Sequence, residues 1–329
     1  MSLPFMEALR QKYPQAEITS LARPSVAAIL RHHPAVDKII LCDDQGMHRG
    51  LGLFSMAQNL RGQKYDVAYI LPNSFSSALM MKSARIPKRI GFSTDGRRWL
   101  LTHPVKKTPA IRSIHETCAY LSLLDGLPPS GAPVQPKLYL TDEEVKTAAD
   151  RLEALGVNRN QLLIGLVPGA AYGTAKRWLP ERYALLTQRL VQTSRAQVIL
   201  FGSASEAEVA KTVEEKANCA IFNMAAKTGL REFAALLGQC SLVVCNDSGA
   251  MHLAAAVGRP LVAIFGPTNP VTTSPVSADS HLVRHPVECS PCLLRHCPID
   301  HRCMRSISVD EVYMTVLGVI ERLPESISS

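Results

Sequence analysis

Short apolar runs recur at residues 38–42, 66–72, 162–169, 196–203, 219–225, 241–247 and 260–267. Between them lie amphipathic stretches such as 181–193 and 230–237. Short apolar runs predict strands, and an apolar period of three to four predicts helices. Strands alternating with helices predict parallel sheets built from βα units, an α/β fold.

The pattern breaks between residues 127 and 160. LPPSGAPVQP is a Pro-rich connector, and Thr141-Asp142-Glu143-Glu144 is a capping box opening a helix that runs to about residue 155. Gly156 ends that helix. The parse is two domains, 1–157 and 158–329, with a last helix at 309–322 free to pack back on the first domain. The chain as given opens on a helix at 3–12, with no strand ahead of it. Open βα sheets begin strand, turn, helix, so the first βα unit is expected to be incomplete and its sheet to carry a gap.

Four turns that follow predicted strands of the second half carry chemistry. The turn 168–180 holds small residues that let backbone approach a ligand, then Thr174, Lys176 and Arg177. Cation-bearing loops past the carboxyl end of a strand are where open α/β sheets bind ligands. A basic loop before a helix, with Trp178 packed beneath it, explains this turn equally well when it is taken alone. Asp247, Ser248 and Gly249 lead into a helix whose free N–H groups attract anions, and His252 lies one turn further on. Capping alone would account for Asp247 and Ser248. Glu206, after the strand at 196–203, has the character of a ribose-hydroxyl acceptor, or of a first-turn carboxylate favoured by the helix dipole. The turn 265–270 is plain without a ligand beside it. Four such turns in one domain favour a nucleotide-diphosphate pocket. The absence of G-x-x-x-x-G-K-[ST] and G-x-G-x-x-G disfavours P-loop and dinucleotide modes.

Composition sharpens this picture at two points. The net charge is +8, and Lys82, Arg85, Lys88, Arg89, Arg97, Arg98, Lys106, Lys107 and Arg112 face a single acid, Asp95. That run reads either as a solvated basic face or as a surface for phosphorylated partners. No nucleic-acid-binding module is present and few aromatics lie among the cations, so no nucleic-acid partner is expected. Four of the nine cysteines cluster as Cys289-x2-Cys292-x4-Cys297-x5-Cys303. They are compatible with a structural zinc or iron–sulfur site, and equally with reduced thiols in a compact loop. No run of 18 apolar residues is present and the N-terminus lacks a signal-peptide pattern. A cytoplasmic protein is expected.

Taken together, Pro168-Gly169 with Lys176-Arg177-Trp178-Leu179-Pro180, then Phe201-Gly202-Ser203, Asn246-Asp247-Ser248-Gly249 with His252, and Phe265-Gly266-Pro267-Thr268 resemble the donor half of the ADP-heptose:lipopolysaccharide heptosyltransferases, glycosyltransferase family 9. The stretches 71–79 and 86–91 resemble the second heptosyltransferase of that pathway, and the resemblance covers nearly the whole chain. It implies a GT-B fold, two Rossmann-like domains facing across a cleft. It also implies inverting transfer of L-glycero-D-manno-heptose from ADP-heptose to the heptosyl-Kdo2-lipid A core, with no catalytic metal or other required cofactor. By the same resemblance Thr174, Lys176, Glu206, Thr228, Asp247, Ser248, Gly249 and His252 bind the donor. Asn73, Ser74, Lys88, Arg89, Arg97 and Arg98 face a phosphorylated acceptor at the cytoplasmic surface of the inner membrane.

Family members place a general-base Asp in a Gly-Asp turn just before the first helix, and the chain as given opens after that point. Donor binding with little or no transfer is the expectation for this polypeptide, with Glu116 as a weak substitute base. Two alternatives stand beside this reading. One is another nucleotide-sugar enzyme of the same fold; the other is a catalytically impaired ADP-sugar-binding protein.

Overall fold

The computed structural model describes residues 1–42 and 50–323. They form two compact units, Met1–Val134 and Gln135–Ser329. The division falls earlier than residue 157, inside the Pro-rich connector. The helix Asp142–Ala154, opened by the Thr141/Glu144 capping box, buries Ala148 and Leu152 in the second unit's core. Arg231 fixes it there, holding the Glu144 carboxylate (Nη2 to Oε2, 2.5 Å) and the Tyr139 carbonyl (2.8 Å).

In the first unit, strands β1 (Thr19–Ala22) and β2 (Lys38–Leu41) form one parallel pair. Strands β3 (Val67–Ile70), β4 (Lys88–Phe92) and β5 (His103–Val105) form a separate parallel sheet. Among the described residues the strands of this unit thus fall into two hydrogen-bonded groups. The helix Leu3–Lys12 follows its apolar stripe: Leu3, Phe5, Met6 and Leu9 are buried. They pack in one cluster with Phe92 of β4 and with Ala119 and Leu123 of the helix Glu116–Asp125. Phe5 meets Tyr69 of β3 edge-on with ring centroids 5.6 Å apart, and the Tyr13 and Tyr69 hydroxyls are 3.1 Å apart.

The second unit holds one six-stranded, all-parallel sheet. Its strands are β6 (Leu163–Val167), β7 (Gln197–Leu200), β8 (Phe222–Asn223), β9 (Leu242–Asn246), β10 (Leu261–Phe265) and β11 (Ser280–Arg284). Their spatial order is β11-β10-β9-β6-β7-β8. Strands β6, β9 and β10 are buried along their whole length, which is why they read as unbroken apolar runs. Helices Pro180–Ser194 and Ala207–Ala217 cover one face. Leu230–Leu237, Gly249–Ala256 and Asp142–Ala154 cover the other. The last helix, Val309–Ile320, packs on Pro180–Ser194 and on β10 and β11, burying Val312, Val316 and Val319 in the second unit's own core.

The basic run does not form one face. Arg97 is 0% exposed, and its guanidinium donates to the carbonyls of Phe92 (2.8 Å), Ser74 (3.2 Å) and Pro72. It thereby fixes the turn between β3 and the helix Phe75–Ser83. Burial pulls its pKa below the ordinary guanidinium value, and Asp95 offsets part of that shift. Arg97→Met should therefore destabilise the protein by about 2–4 kcal/mol, because several buried carbonyls lose a charged donor. Arg98→Met, at an exposed position, should change stability by no more than about 0.5 kcal/mol. Urea unfolding of the two variants checks the contrast.

Candidate active site

Strands β7, β6, β9 and β10 lie side by side with Leu166 opposite Leu200, Val167 opposite Cys245 and Ile264 opposite Asn246. Their carboxyl ends therefore emerge at one edge and carry the four turns singled out in the sequence. The chain leaves β6 toward β7 on one side and returns to β9 on the other, so the strand order reverses between β6 and β9. Open parallel sheets bind ligands at such a point.

Asn246, the last residue of β9, fixes the distance between the two turns that flank the reversal. It is buried, and its Oδ1 accepts from the backbone N–H of Trp178 (3.0 Å) and the Tyr183 hydroxyl (3.2 Å). Its Nδ2 donates to the carbonyls of Pro168 (2.7 Å) and Gly169 (3.2 Å).

Across this tie, Lys176 Nζ sits 2.7 Å from Asp247 Oδ2, with the two side chains 14% and 3% exposed. The buried Thr268 hydroxyl, from the turn after β10, donates to the same carboxylate oxygen. Lys176 also stands over the Tyr172 ring at 5.0 Å. One turn supplies the cation, a second orients it and a third holds the orienting group. Ser248 is the N-cap of the helix Gly249–Ala256 and makes no side-chain cap bond. A Cβ at Gly249 would meet nothing within 4 Å. The positive end of that helix thus opens onto free space beside Lys176's partner, an arrangement that favours an anion. His252 lies half-buried on the same helix, within its first turns.

Glu206 behaves differently from a free ribose ligand. Its Oε2 accepts from the Ser203 N–H (2.8 Å) and hydroxyl (2.7 Å), closing a capping box on the short helix that starts at Ala204. The other oxygen, Oε1, lies over the β6 turn, 2.3 Å from where a Cβ at Gly169 would stand. A side chain at 169 would therefore displace the Glu206 carboxylate from this position. Thr174 faces outward, its hydroxyl 3.0 Å from His296 Nδ1. Thr228 is half-buried in the turn that follows β8 and leads into the helix Leu230–Leu237.

The cysteine-bearing segment braces this edge. The Leu293 N–H donates to Pro267 O (2.9 Å), the Ser290 hydroxyl to Gly266 O (2.6 Å), and the Ala175 N–H to Arg295 O (3.0 Å). Tyr172 donates its hydroxyl to Leu293 O (3.0 Å), and His301 Nε2 lies 2.7 Å from Ala175 O. A Cβ at Gly173 would stand 2.2 Å from the Arg295 carbonyl oxygen, so glycine permits this approach. None of the four cysteines is in a disulfide. Cys303 is buried, and burial first and the neighbouring Cys289, Cys297 and Cys292 second push its pKa up. Among the described residues no three His, Cys, Asp or Glu side chains are gathered to hold a metal ion.

On the first unit, the proposed acceptor residues divide. Arg97 is buried as described. Arg89 donates through Nε to Leu100 O (2.8 Å) and through Nη1 to Ile86 O (2.5 Å), so its guanidinium also serves the fold. The Ser74 hydroxyl caps the helix Phe75–Ser83, and Asn73 Oδ1 lies 3.4 Å from Arg97 Nη2. Arg98 is exposed and Lys88 half-buried. Glu116 opens its helix beside the buried N-cap His115 and is ion-paired with Lys107 at 3.4 Å.

Sequence reasoning assigned no role to Asn246, Thr268, Tyr172, His296 or His301. The first two had a visible signal, since each stands beside the end of an unbroken apolar strand. The last three contact residues more than 100 positions away, and nothing local marks them.

The Lys176–Asp247 pair yields a stability test. Lys176→Met should leave the Asp247 carboxylate buried with only Thr268 as partner. It should cost roughly 2–3 kcal/mol, less than the ~3–5 kcal/mol of a fully buried pair because Lys176 keeps some solvent. Adding Asp247→Asn should recover about half of that loss. A double-mutant cycle by urea unfolding measures the coupling.

Residues 53–302 match the family model described as glycosyltransferase family 9 (heptosyltransferase). The chain is 33% identical over 295 residues to lipooligosaccharide heptosyltransferase 2 of Haemophilus ducreyi, covering 86% of this chain and 84% of that protein. Among solved structures it is similar to E. coli ADP-heptose lps heptosyltransferase II, with a TM-score of 0.79 and 29% identity over 98% of this chain and 94% of the other. A family 9 glycosyltransferase from Veillonella parvula superposes with a TM-score of 0.84 over 98% of this chain and 93% of its own, at 22% identity. These likenesses show the GT-B fold. With the nucleotide-type edge of its second unit, the chain belongs to glycosyltransferase family 9, the heptosyltransferases.

Proposed function

We propose that this protein transfers L-glycero-D-manno-heptose from ADP-heptose to the heptosyl-Kdo2-lipid A core of lipopolysaccharide, inverting the anomeric centre. The observation that carries the donor half is the convergence of Lys176, Asp247, Thr268 and the open N-terminus of Gly249–Ala256 at one sheet edge. In the reaction an acceptor hydroxyl oxygen bonds to the anomeric carbon while that carbon's bond to the diphosphate oxygen breaks. The hydroxyl proton passes to a base, and ADP departs with the electron pair. Charge grows on the leaving diphosphate. Lys176, held in place by Asp247, and the backbone N–H groups at Ser248 and Gly249 are fixed where they can meet that charge without reorganising. Glu206 keeps one oxygen for its cap and presents the other over Gly169, where a ribose hydroxyl would donate to it. The acceptor half rests on relatives named for lipopolysaccharide and lipooligosaccharide heptosyl transfer.

Calorimetry with ADP and a transfer assay with ADP-heptose beside a UDP-sugar test this. Folded protein should take up ADP, and whatever transfer is measured should use the ADP-sugar and not the UDP-sugar. Lys176→Met should weaken ADP binding at least about tenfold, the loss of one charge-assisted contact of ~1.4 kcal/mol or more. Absence of ADP uptake by folded protein, or preference for the UDP-sugar, refutes the assignment.

A further inference from the structure

The second unit's sheet has another edge. Leu163 begins β6, Ser241 precedes β9, and Arg259 and Pro260 precede β10. These amino ends lie a strand's length, roughly 15 Å, from the turns that carry Lys176 and Asp247. They open into a cavity of about 800 Å³, within the size range of small-molecule sites. Its wall is largely aliphatic, with Leu138, Leu140, Leu152, Val157 and Leu163 among its residues. The segment that enters the second unit forms one side of it. Gln135 Nε2 donates to Ala255 O (2.9 Å) and the Leu138 N–H to Ala256 O (2.9 Å), which fixes that side to the end of the helix Gly249–Ala256.

Three cations line the cavity, Lys137, Arg159 and Arg259, and no described Asp or Glu does. Two of them are engaged: Arg159 donates to Gln239 Oε1 (2.9 Å), and Lys137 stands over the Tyr139 ring at 5.0 Å. The third is not satisfied. Arg259 Nε is buried and has no hydrogen-bond partner among the described residues. The Arg259 charge is felt at Cys240, another lining residue: burial pushes that thiol's pKa up to about 12, and the guanidinium draws it down. A buried N–H of a charged group without an acceptor destabilises the fold, and almost all such groups in native proteins find a partner. The aliphatic wall favours an apolar body. The guanidinium calls for an anion, and its planar fork matches a carboxylate.

We propose that this cavity is a second ligand site, for an organic carboxylate whose head pairs with Arg259 and whose aliphatic body lies against Leu140, Val157 and Leu163. It stands on the opposite edge of the sheet from the turns that would hold ADP-heptose and is independent of the donor reading.

Calorimetry on the full chain with octanoate tests this. One octanoate should bind per chain. Octanol and acetate, which keep only the body or only the head, should bind at least about tenfold more weakly. Arg259→Met keeps the aliphatic stem and removes the charge; it should weaken octanoate binding about tenfold, the loss of one charge-assisted pairing. Val145 lines the cavity from the helix Asp142–Ala154 and is 39% exposed, so Val145→Trp should fill the space without disturbing the core and should weaken octanoate binding as well. Without octanoate, Arg259→Met should melt no lower than the parent protein, because the orphaned N–H is gone. ADP calorimetry should be unchanged in both variants, and saturating ADP should leave octanoate bound. Four results overturn the proposal: no octanoate uptake, equal binding of octanol or acetate, displacement of octanoate by ADP, or an Arg259→Met variant that melts lower and binds octanoate as before. The last would assign the guanidinium to the fold alone.

Discussion

The carboxyl edge of the second unit's sheet depends on one side chain, Asn246. Its carboxamide uses its oxygen to accept two hydrogen bonds and its nitrogen to donate two, all inside the protein. Only an amide offers both capacities at one position. A carboxylate there would face two carbonyl oxygens, and an aliphatic side chain would strand the Trp178 N–H and the Tyr183 hydroxyl. Through this residue the end of β9 and the turn after β6 move as one body. Lys176 and Asp247, which come from those two turns, inherit their 2.7 Å separation from it. Trp178 carries the constraint outward, because its indole N–H donates to Ile307 O (3.0 Å), just before the last helix.

A second constraint is the division of labour between the units. The second unit is electrically balanced overall and concentrates its positive potential locally, in Lys176 and one helix terminus. That suits a small anion held at a fixed place. The first unit carries the whole excess charge, distributed over many residues and not gathered in one site. Within that excess, Arg97 and Arg89 are removed from the surface by their own hydrogen bonds. Counting cations along the chain therefore overstates the basic face.

Much of this was legible in sequence, and the exceptions share a cause. All seven apolar runs contain strands, and the plainest of them, β6, β9 and β10, are buried parallel strands whose two faces are both apolar. The strands that were missed, Thr19–Ala22, Lys88–Phe92, His103–Val105 and Ser280–Arg284, are short and carry polar, cationic or proline residues. Three of them, β1, β5 and β11, have one partner each. The four turns are legible as segments after strands, because each is announced by the end of an apolar run. What the chain did not reveal is which groups use their polar atoms on the fold. Arg97 looks like its neighbour Arg98 in sequence, yet one is sealed under backbone carbonyls and the other meets solvent. Backbone acceptors belong to every residue type, so composition cannot show where they converge.

Glu206 shows how the structural and ligand readings of one residue coexist. The bland expectation was a carboxylate at a helix start, and the capping box with Ser203 bears that out. A cap uses only Oε2, however, and it does so by turning the carboxylate back toward the sheet edge. That rotation brings Oε1 over Gly169, where a larger side chain would push the carboxylate aside. The cap therefore sets the orientation of the remaining oxygen at the cost of one acceptor. The pairing of a glycine after β6 with a capping glutamate after β7 is a single device: the first clears the space and the second aims a fixed acceptor across it.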